Sequence, residues 1–231
     1  MMSRHANRER VVFLLDVDNT LLDNDRIIAD LREALTREFG VEKELRYWSI
    51  FEEHRRELGY ADYLGTLQRF RLEDPHDPSL LAISSMLVNY PFGERLFPGA
   101  FDVIKHLGQW GTTVILTDGD VVFQPLKIER SGLAEAVGGR VLLYVHKEQE
   151  LAEVEHRFPA DSYVLVDDKI RILTDVKAIW GARVTTVFPK QGHYANDADV
   201  ATYPKPDFAI DHIADLLEHN PPPGVVSLRG A

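Results

Sequence analysis

The stretch Val11-Val12-Phe13-Leu14-Leu15-Asp16-Val17-Asp18-Asn19-Thr20-Leu21-Leu22 decides the architecture. Its first five residues are apolar without a break and stop abruptly at Asp16, the pattern of a strand buried on both faces. Four further runs read the same way. Thr113-Val114-Ile115-Leu116 stops at Thr117-Asp118-Gly119, and Val141-Leu142-Leu143-Tyr144-Val145 precedes His146-Lys147. Tyr163-Val164-Leu165-Val166 stops at Asp167-Asp168, and Val184-Thr185-Thr186-Val187-Phe188 stops at Pro189. Helical stretches such as Ala100 to Trp110 and Ile170 to Trp180 separate them. Strands alternating with helices of this length predict an α/β fold with a parallel sheet.

Between Asn24 and Gly93 that rhythm is replaced by helical periodicity alone. Ile27, Ile28, Leu31, Leu35 and Phe39 share one helical face, and Gly40 fits as the stop. Tyr47, Trp48, Ile50 and Phe51 fall in a second helix, and a third is expected from Ala61 to Leu72. Asp74-Pro75-His76-Asp77-Pro78 is a break, after which Ser79 is placed to cap a fourth helix over Leu80 to Val88. The pattern predicts an all-helical cap domain, residues 24–93, inserted into a core made of residues 1–23 and 94–231. The tail from Pro221-Pro222-Pro223-Gly224 onward is expected to be loose.

The chain has 231 residues, 45% of them apolar, which is enough to bury a core and excludes a largely disordered protein. With 37 acidic and 26 basic residues its net charge is −11, which argues against nucleic acid or an anionic membrane as partner. The absence of cysteine excludes disulfides, thiolate zinc sites and a cysteine nucleophile. No run approaches the roughly 18 apolar residues that span a bilayer. The polar start, Met1 to Arg8, lacks a following signal-type apolar stretch. A cytoplasmic protein, monomer or homodimer, is expected.

In an open parallel sheet, ligands bind outside the carboxyl ends of the strands. Four of the runs end there in polar residues: Asp16 and Asp18, Thr117, Lys147, and Asp167 and Asp168. Any one alone reads equally well as a turn or helix cap. Four carboxylates gathered at one edge repel one another unless a cation neutralises them. An oxygen-only donor set suits a hard cation such as Mg²⁺. Asp16 and Asp18 are two apart in an extended segment and so point the same way. One can bind the metal and attack as a nucleophile, while the other shuttles a proton. The Thr117 hydroxyl and the Lys147 ammonium suit the charge on a transferring phosphoryl group.

Asp16-Val17-Asp18-Asn19-Thr20 resembles the DxDxT opening motif of the haloacid dehalogenase-like (HAD) hydrolases, and Thr117, Lys147 and Asp167-Asp168 resemble their second, third and fourth motifs. The helical insert falls where the family's type 1 cap lies, and Leu96-Phe97-Pro98-Gly99-Ala100 after it is another habitual feature. The resemblance implies a Rossmann-like core, with Asp16 as nucleophile and Mg²⁺ ligand. It implies Asp18 as general acid/base with its backbone carbonyl on the metal, Thr117 and Lys147 as phosphoryl holders, and Asp168 or Asp167 as the remaining metal ligand, Asp168 preferred. One departure is the absence of an acid shortly after Asp168. The stretch there is Lys169-Ile170-Arg171-Ile172-Leu173, and Asp175 lies beyond it. Another is Gln191-Gly192-His193-Tyr194, which puts His193 near substrate or on a surface loop.

The family spans several reactions. Asp18 favours phosphoryl transfer, because a dehalogenase does not need the second aspartate. A phosphonatase of this family uses a cap lysine, and the insert's lone lysine, Lys43, reads as solvated. A phosphomutase would use the insert to hold a second phosphate, and eight arginines lie there: Arg26, Arg32, Arg37, Arg46, Arg55, Arg56, Arg69 and Arg71. Tyr47, Trp48 and Phe51 fit either the insert's own core or a substrate wall. A non-catalytic phosphate-binding module, such as a receiver domain, shares the acid, threonine and lysine pattern, but the long insert argues against it. The expected activity is a Mg²⁺-dependent phosphatase acting on a small phosphorylated substrate.

Overall fold

The structure is a computed structural model that describes residues 10–225, so the polar start from Met1 to Arg8 lies outside the described residues. Six strands form one parallel sheet: β1 (Val11–Leu15), β2 (Thr112–Asp118), β3 (Val141–Tyr144), β4 (Ser162–Val166), β5 (Val184–Pro189) and β6 (Phe208–Ile210), in the order β3-β2-β1-β4-β5-β6. This is the doubly wound order with its switch point beside β1. Helices α1 (Asn24–Phe39), α2 (Val41–Leu58), α3 (Tyr63–Phe70) and α4 (Ser79–Val88) lie between β1 and β2. The others are α5 (Ala100–Leu107), α6 (Phe123–Arg130), α7 (Leu133–Ala136), α8 (Leu151–Arg157) and α9 (Ile170–Trp180).

The parallel α/β fold expected from the alternation of elements is the fold observed. Its central strand is apolar throughout because the pleat sends alternate residues to different cores. Val11, Phe13 and Leu15 pack on one side of the sheet, and Val12 and Leu14 on the other. β4 divides in the same way, Val164 and Val166 against Tyr163 and Leu165. The sequence reading did not contain β6, whose Phe208-Ala209-Ile210 is too short to carry a periodicity. The tail was also misjudged in part. Pro222 and Pro223 are buried and Val225 packs on the main core, because this segment lies against Val164 and Thr185 of the sheet. Residues beyond 225 lie outside the described part.

Helices α1 to α4 pack on one another, α1 against α2 and α4, and α2 against α3. Ile27, Leu31, Ala34 and Leu35 form the buried stripe of α1, which stops at Gly40 with φ of 83°. Such a positive φ favours glycine. Tyr47 is buried and donates its hydroxyl hydrogen to the Tyr63 carbonyl at 3.0 Å. The α4 cap differs from expectation. Asp77 accepts from the Ser79 amide at 2.9 Å, while the Ser79 hydroxyl donates to the Glu38 carbonyl at 3.2 Å. Pro78 holds the N-cap position of α4 without a side-chain cap, Asp77 binds the first helical amide from one residue further out, and the Ser79 hydroxyl ties α4 to α1.

After β1 the chain folds back tightly, with the Leu21 and Leu22 amides both donating to the Val17 carbonyl at 2.9 Å. Asn19 takes a left-handed conformation, φ 57°, and its side chain accepts from the amides of Asn24 and Asp25 that open α1. Gln191, buried after β5, clamps this loop. Its amide nitrogen donates to the Asn19 and Thr20 carbonyls at 3.3 and 3.0 Å, and its oxygen accepts from the Ile213 amide at 2.6 Å. A Gln191→Leu variant strips these backbone groups of their partner and is expected to lose about 2–3 kcal/mol. Urea unfolding measures this directly, and an unchanged midpoint would show that the clamp is not structural.

Candidate active site

Each chemically loaded residue stands where a strand ends. Asp16 follows β1, Thr117 and Asp118 close β2, Lys147 lies just beyond β3, and Asp167 and Asp168 follow β4. Because β1 sits between β2 and β4, these ends converge. Asp16, Asp167 and Asp168 are buried, and each offers a carboxylate oxygen within 4.8 Å of the others. The ammonium of buried Lys147 bonds to Asp16 Oδ1, lies 2.6 Å from Asp167 Oδ2, and donates to the Leu116 carbonyl at 3.3 Å.

The electrostatics follow from burial. Desolvation acts to lower the Lys147 pKa, but the charges of Asp16 and Asp167 outweigh it and push it up. Desolvation raises Asp167 to about 6 against the pull of Lys147, and Asp16 adds to the rise. Asp168 is pushed well above the usual carboxylate range, chiefly by burial and further by Asp16 and Asp167, with Lys169 opposing. Both Asp168 oxygens and Asp16 Oδ2 are buried without a hydrogen-bond partner. Burying carboxylate oxygens in that condition is costly unless a cation meets them. The donor set is all oxygen, so the residues fit a hard divalent ion such as Mg²⁺. Asp167 is turned toward Lys147 on one oxygen and accepts the Lys169 amide at 2.8 Å on the other, which leaves Asp168 the freer ligand.

Asp18 stands apart from that cluster. Its side chain, 27% exposed, bonds through Oδ1 to the ammonium of Lys127 at 2.6 Å and lines a cavity of about 620 Å³. Thr117 is buried and accepts from the Gln124 side-chain amide at 3.0 Å. The hydroxyl itself donates to the Asp118 carbonyl at 3.4 Å, a long bond beside the 3.0 Å one from Gln124. Asp118 fixes the neighbouring turn by accepting the Lys147 amide at 2.8 Å. Thr20 accepts the Asp168 amide at 3.1 Å and so couples the loop after β1 to the loop after β4.

Of the arginines in the insert, Arg32 and Arg55 line the cavity. Others pair along the outer surface, Arg37 with Glu38, Arg46 with Glu73 and Arg69 with Glu57. Arg32 stacks 4.3 Å above the Trp48 ring and pairs with Glu44 at 2.6 Å. Tyr47, Trp48 and Phe51 are all buried in the core, and Trp48 and Phe51 also line the cavity, so the core reading holds for all three and the wall reading for two. Lys43 pairs with Asp74 and Asp77 at 3.2 and 2.6 Å, away from the cavity. Asp175 pairs with Arg171 at 2.9 Å outside the acidic cluster. His193 lines the cavity and is bound to Asp25 by its amide at 2.7 Å and its ring at 2.6 Å.

Sequence reasoning passed over Lys127, Gln124 and Lys169. The first two are polar residues one turn apart on the buried side of α6, a signal that needs the packing direction of the helix. Lys169 directly follows the acidic pair, and the charges of Asp16 and Asp168 raise its pKa against desolvation, which opposes them.

No protein-family model matches the sequence, and no curated protein matches it. Solved structures do. A haloacid dehalogenase-like hydrolase from Burkholderia xenovorans LB400 is 56% identical, covering 92% of this chain and 97% of that one with a TM-score of 0.87. A HAD hydrolase from Bacillus subtilis, solved bound to magnesium, is 17% identical over 92% of this chain and 98% of its own, with a TM-score of 0.60. The L-2-haloacid dehalogenase from Xanthobacter autotrophicus is 15% identical over 91% of this chain and 97% of its own, with a TM-score of 0.58. The last two share the fold. With the first sharing more than half of its residues over nearly the whole length, the chain belongs to the haloacid dehalogenase-like hydrolases.

Proposed function

We propose that the protein is a Mg²⁺-dependent phosphatase that hydrolyses a small phosphorylated metabolite through an aspartyl-phosphate on Asp16. The observation that supports this reading over a dehalogenase is Asp18, a second carboxylate held outside the acidic cluster and open to the cavity. Replacing a halide by a carboxylate nucleophile needs no proton donor, whereas expelling an alkoxide from phosphorus does.

Asp16, Asp168 and Asp167 would hold the ion, which neutralises charge on the phosphoryl oxygens and on Asp16 when bound. Lys147 fixes Asp16 by Oδ1 and leaves Oδ2 for the site. An Asp16 oxygen attacks phosphorus, the ester P–O bond breaks, and the leaving oxygen takes the proton of Asp18. Asp18, now a carboxylate, takes a proton from water as its oxygen attacks the same phosphorus. The bond from phosphorus to Asp16 then breaks, releasing phosphate and restoring the Asp16 carboxylate. Thr117, with its acceptor side engaged by Gln124, turns its hydroxyl hydrogen from the long bond to the Asp118 carbonyl to a phosphoryl oxygen. Helices α1 to α4 act as the cap, with Arg32, Trp48, Phe51 and Arg55 facing the leaving group.

Phosphate release from a panel of small phosphate esters tests the reaction. Turnover is expected with Mg²⁺, loss on its removal, and none in Asp16→Asn. Halide release from 2-haloacids with no phosphate release would overturn the reading in favour of a dehalogenase.

Metal binding has its own readout. Mg²⁺ is expected to raise the unfolding temperature, since an ion at about a hundred times its Kd adds about 2.7 kcal/mol. In Asp168→Asn that rise should vanish, while the metal-free variant melts above the metal-free parent because a buried unpaired carboxylate is gone. A full Mg²⁺ shift in this variant would take the ion away from Asp168.

A further inference from the structure

Lys127 is the least expected side chain near the site. It is 1% exposed, so its ammonium has been taken out of water, a cost that only strong partners offset. Its partners are two: Asp18 Oδ1 at 2.6 Å and Asn24 Oδ1 at 3.0 Å. Asn24 opens α1, so the second anchor belongs to the helical insert. α6 is a rigid base for this arrangement, with Phe123 and Ile128 buried on either side of Lys127.

The Asp18 carboxylate has a competing attraction. It follows Asp16 by two residues, and a cation held by Asp16, Asp167 and Asp168 would attract a further carboxylate. Lys127 supplies the opposite pull. It takes Oδ1, and among the described residues no side chain bonds Oδ2 of this cavity-lining residue.

We propose that Lys127 is a positioning residue that holds the Asp18 carboxyl group out of the metal cluster by Oδ1 and aims Oδ2, the oxygen that carries the proton, at the leaving-group oxygen. The inference rests on the reading of Asp18 as proton donor in the phosphatase reaction. A proton donor matters most when the leaving group is poor, since a phenolate with an electron-withdrawing group departs unaided. Loss of Lys127 must therefore be selective for the ester, which loss of general stability would not be.

The test uses Lys127→Met, which keeps the length of the stem and removes the ammonium, with kcat/KM measured on p-nitrophenyl phosphate and on an alkyl phosphate. This ratio reads the transfer to Asp16 and not the later hydrolysis. A fall of about 10²-fold on the alkyl ester is expected, with little change on the nitrophenyl ester. In an Asp18→Asn background the same replacement should cost less than about twofold, because its target is gone. An equal fall on both esters, or a full further loss in the Asp18→Asn background, would overturn the proposal in favour of a merely structural lysine. A crystal structure of Lys127→Met supplies a readout independent of turnover, and the Asp18 carboxylate is expected to have left its present position. Finding it unmoved overturns the proposal even if the enzyme is a phosphatase. Should the parent turn over neither ester, the phosphatase reading fails, while the position of Asp18 in that crystal still decides what Lys127 does.

Discussion

The ammonium of Lys147, buried between Asp16 and Asp167 beneath the carboxyl edge of the sheet, is the contact on which the rest of the site depends. Three carboxylates gathered in a dry place cannot all ionise unaided. Lys147 and the neighbouring Lys169 offset part of that charge, and unpartnered oxygens on Asp16 and Asp168 remain. The balance requires more positive charge than the protein supplies. A cation at these oxygens would supply that charge, and any ion that binds there lowers the free energy of the folded state. No feature of the cavity walls would matter if this cluster were not assembled first.

Assembly is a matter of topology. β1 lies between β2 and β4, so the residues after β1, β2 and β4 meet at one edge, although they are separated by most of the chain. The apolar character of these strands made the fold legible, because a strand buried on both faces cannot contain a polar residue until it ends. Asp16, Thr117, Asp167 and Asp168 were visible for that reason. Asp16, Thr117 and Asp167 are each the first polar side chain after an apolar run, and Asp168 follows Asp167. β6 is three residues long and carried no such mark, and the buried prolines near 222 looked like a loose end because nothing local indicates a docking surface. Ser79 misled in a different way. A serine after a break fits the capping rule, but α4 starts at Ser79 itself, whose amide goes to Asp77.

Side chains that act through other side chains left no local trace. Gln124 and Lys127 lie in the stretch Phe123-Gln124-Pro125-Leu126-Lys127-Ile128, where polar and apolar residues alternate in a way that suits an ordinary surface helix. Their burial becomes intelligible once α6 is seen to run beneath Asp18 and Thr117. The arginines of the insert show the same limit. Composition gives their number, but an arginine on a helix reaches either a neighbouring glutamate or the cavity according to a rotation of the helix that the sequence does not record. Arg46 and Arg69 went to glutamates, whereas Arg55 took the Tyr194 hydroxyl at 2.8 Å.

That last contact belongs to a segment that joins the two halves of the site. Residues 191 to 194 leave β5 and touch the loop after β1 through Gln191, the start of α1 through His193, and α2 through Tyr194. Gly192 passes so close to Asn19 that a Cβ there would come within 2.5 Å of its side chain, and Gly192 itself sits at φ 70°. Only glycine allows this approach, and the approach is what lets Gln191 reach the carbonyls of Asn19 and Thr20. Asn19 in turn caps the start of α1 with the oxygen that its left-handed turn presents. The loop that carries Asp16 and Asp18 is thus held from the sheet side by Gln191 and from the insert side by the opening of α1. The insert also meets the core through Lys127 on Asn24, Arg130 on the Val88 carbonyl and Tyr63 against Phe123, so the placement of both aspartates and the shape of the cavity above them are set together.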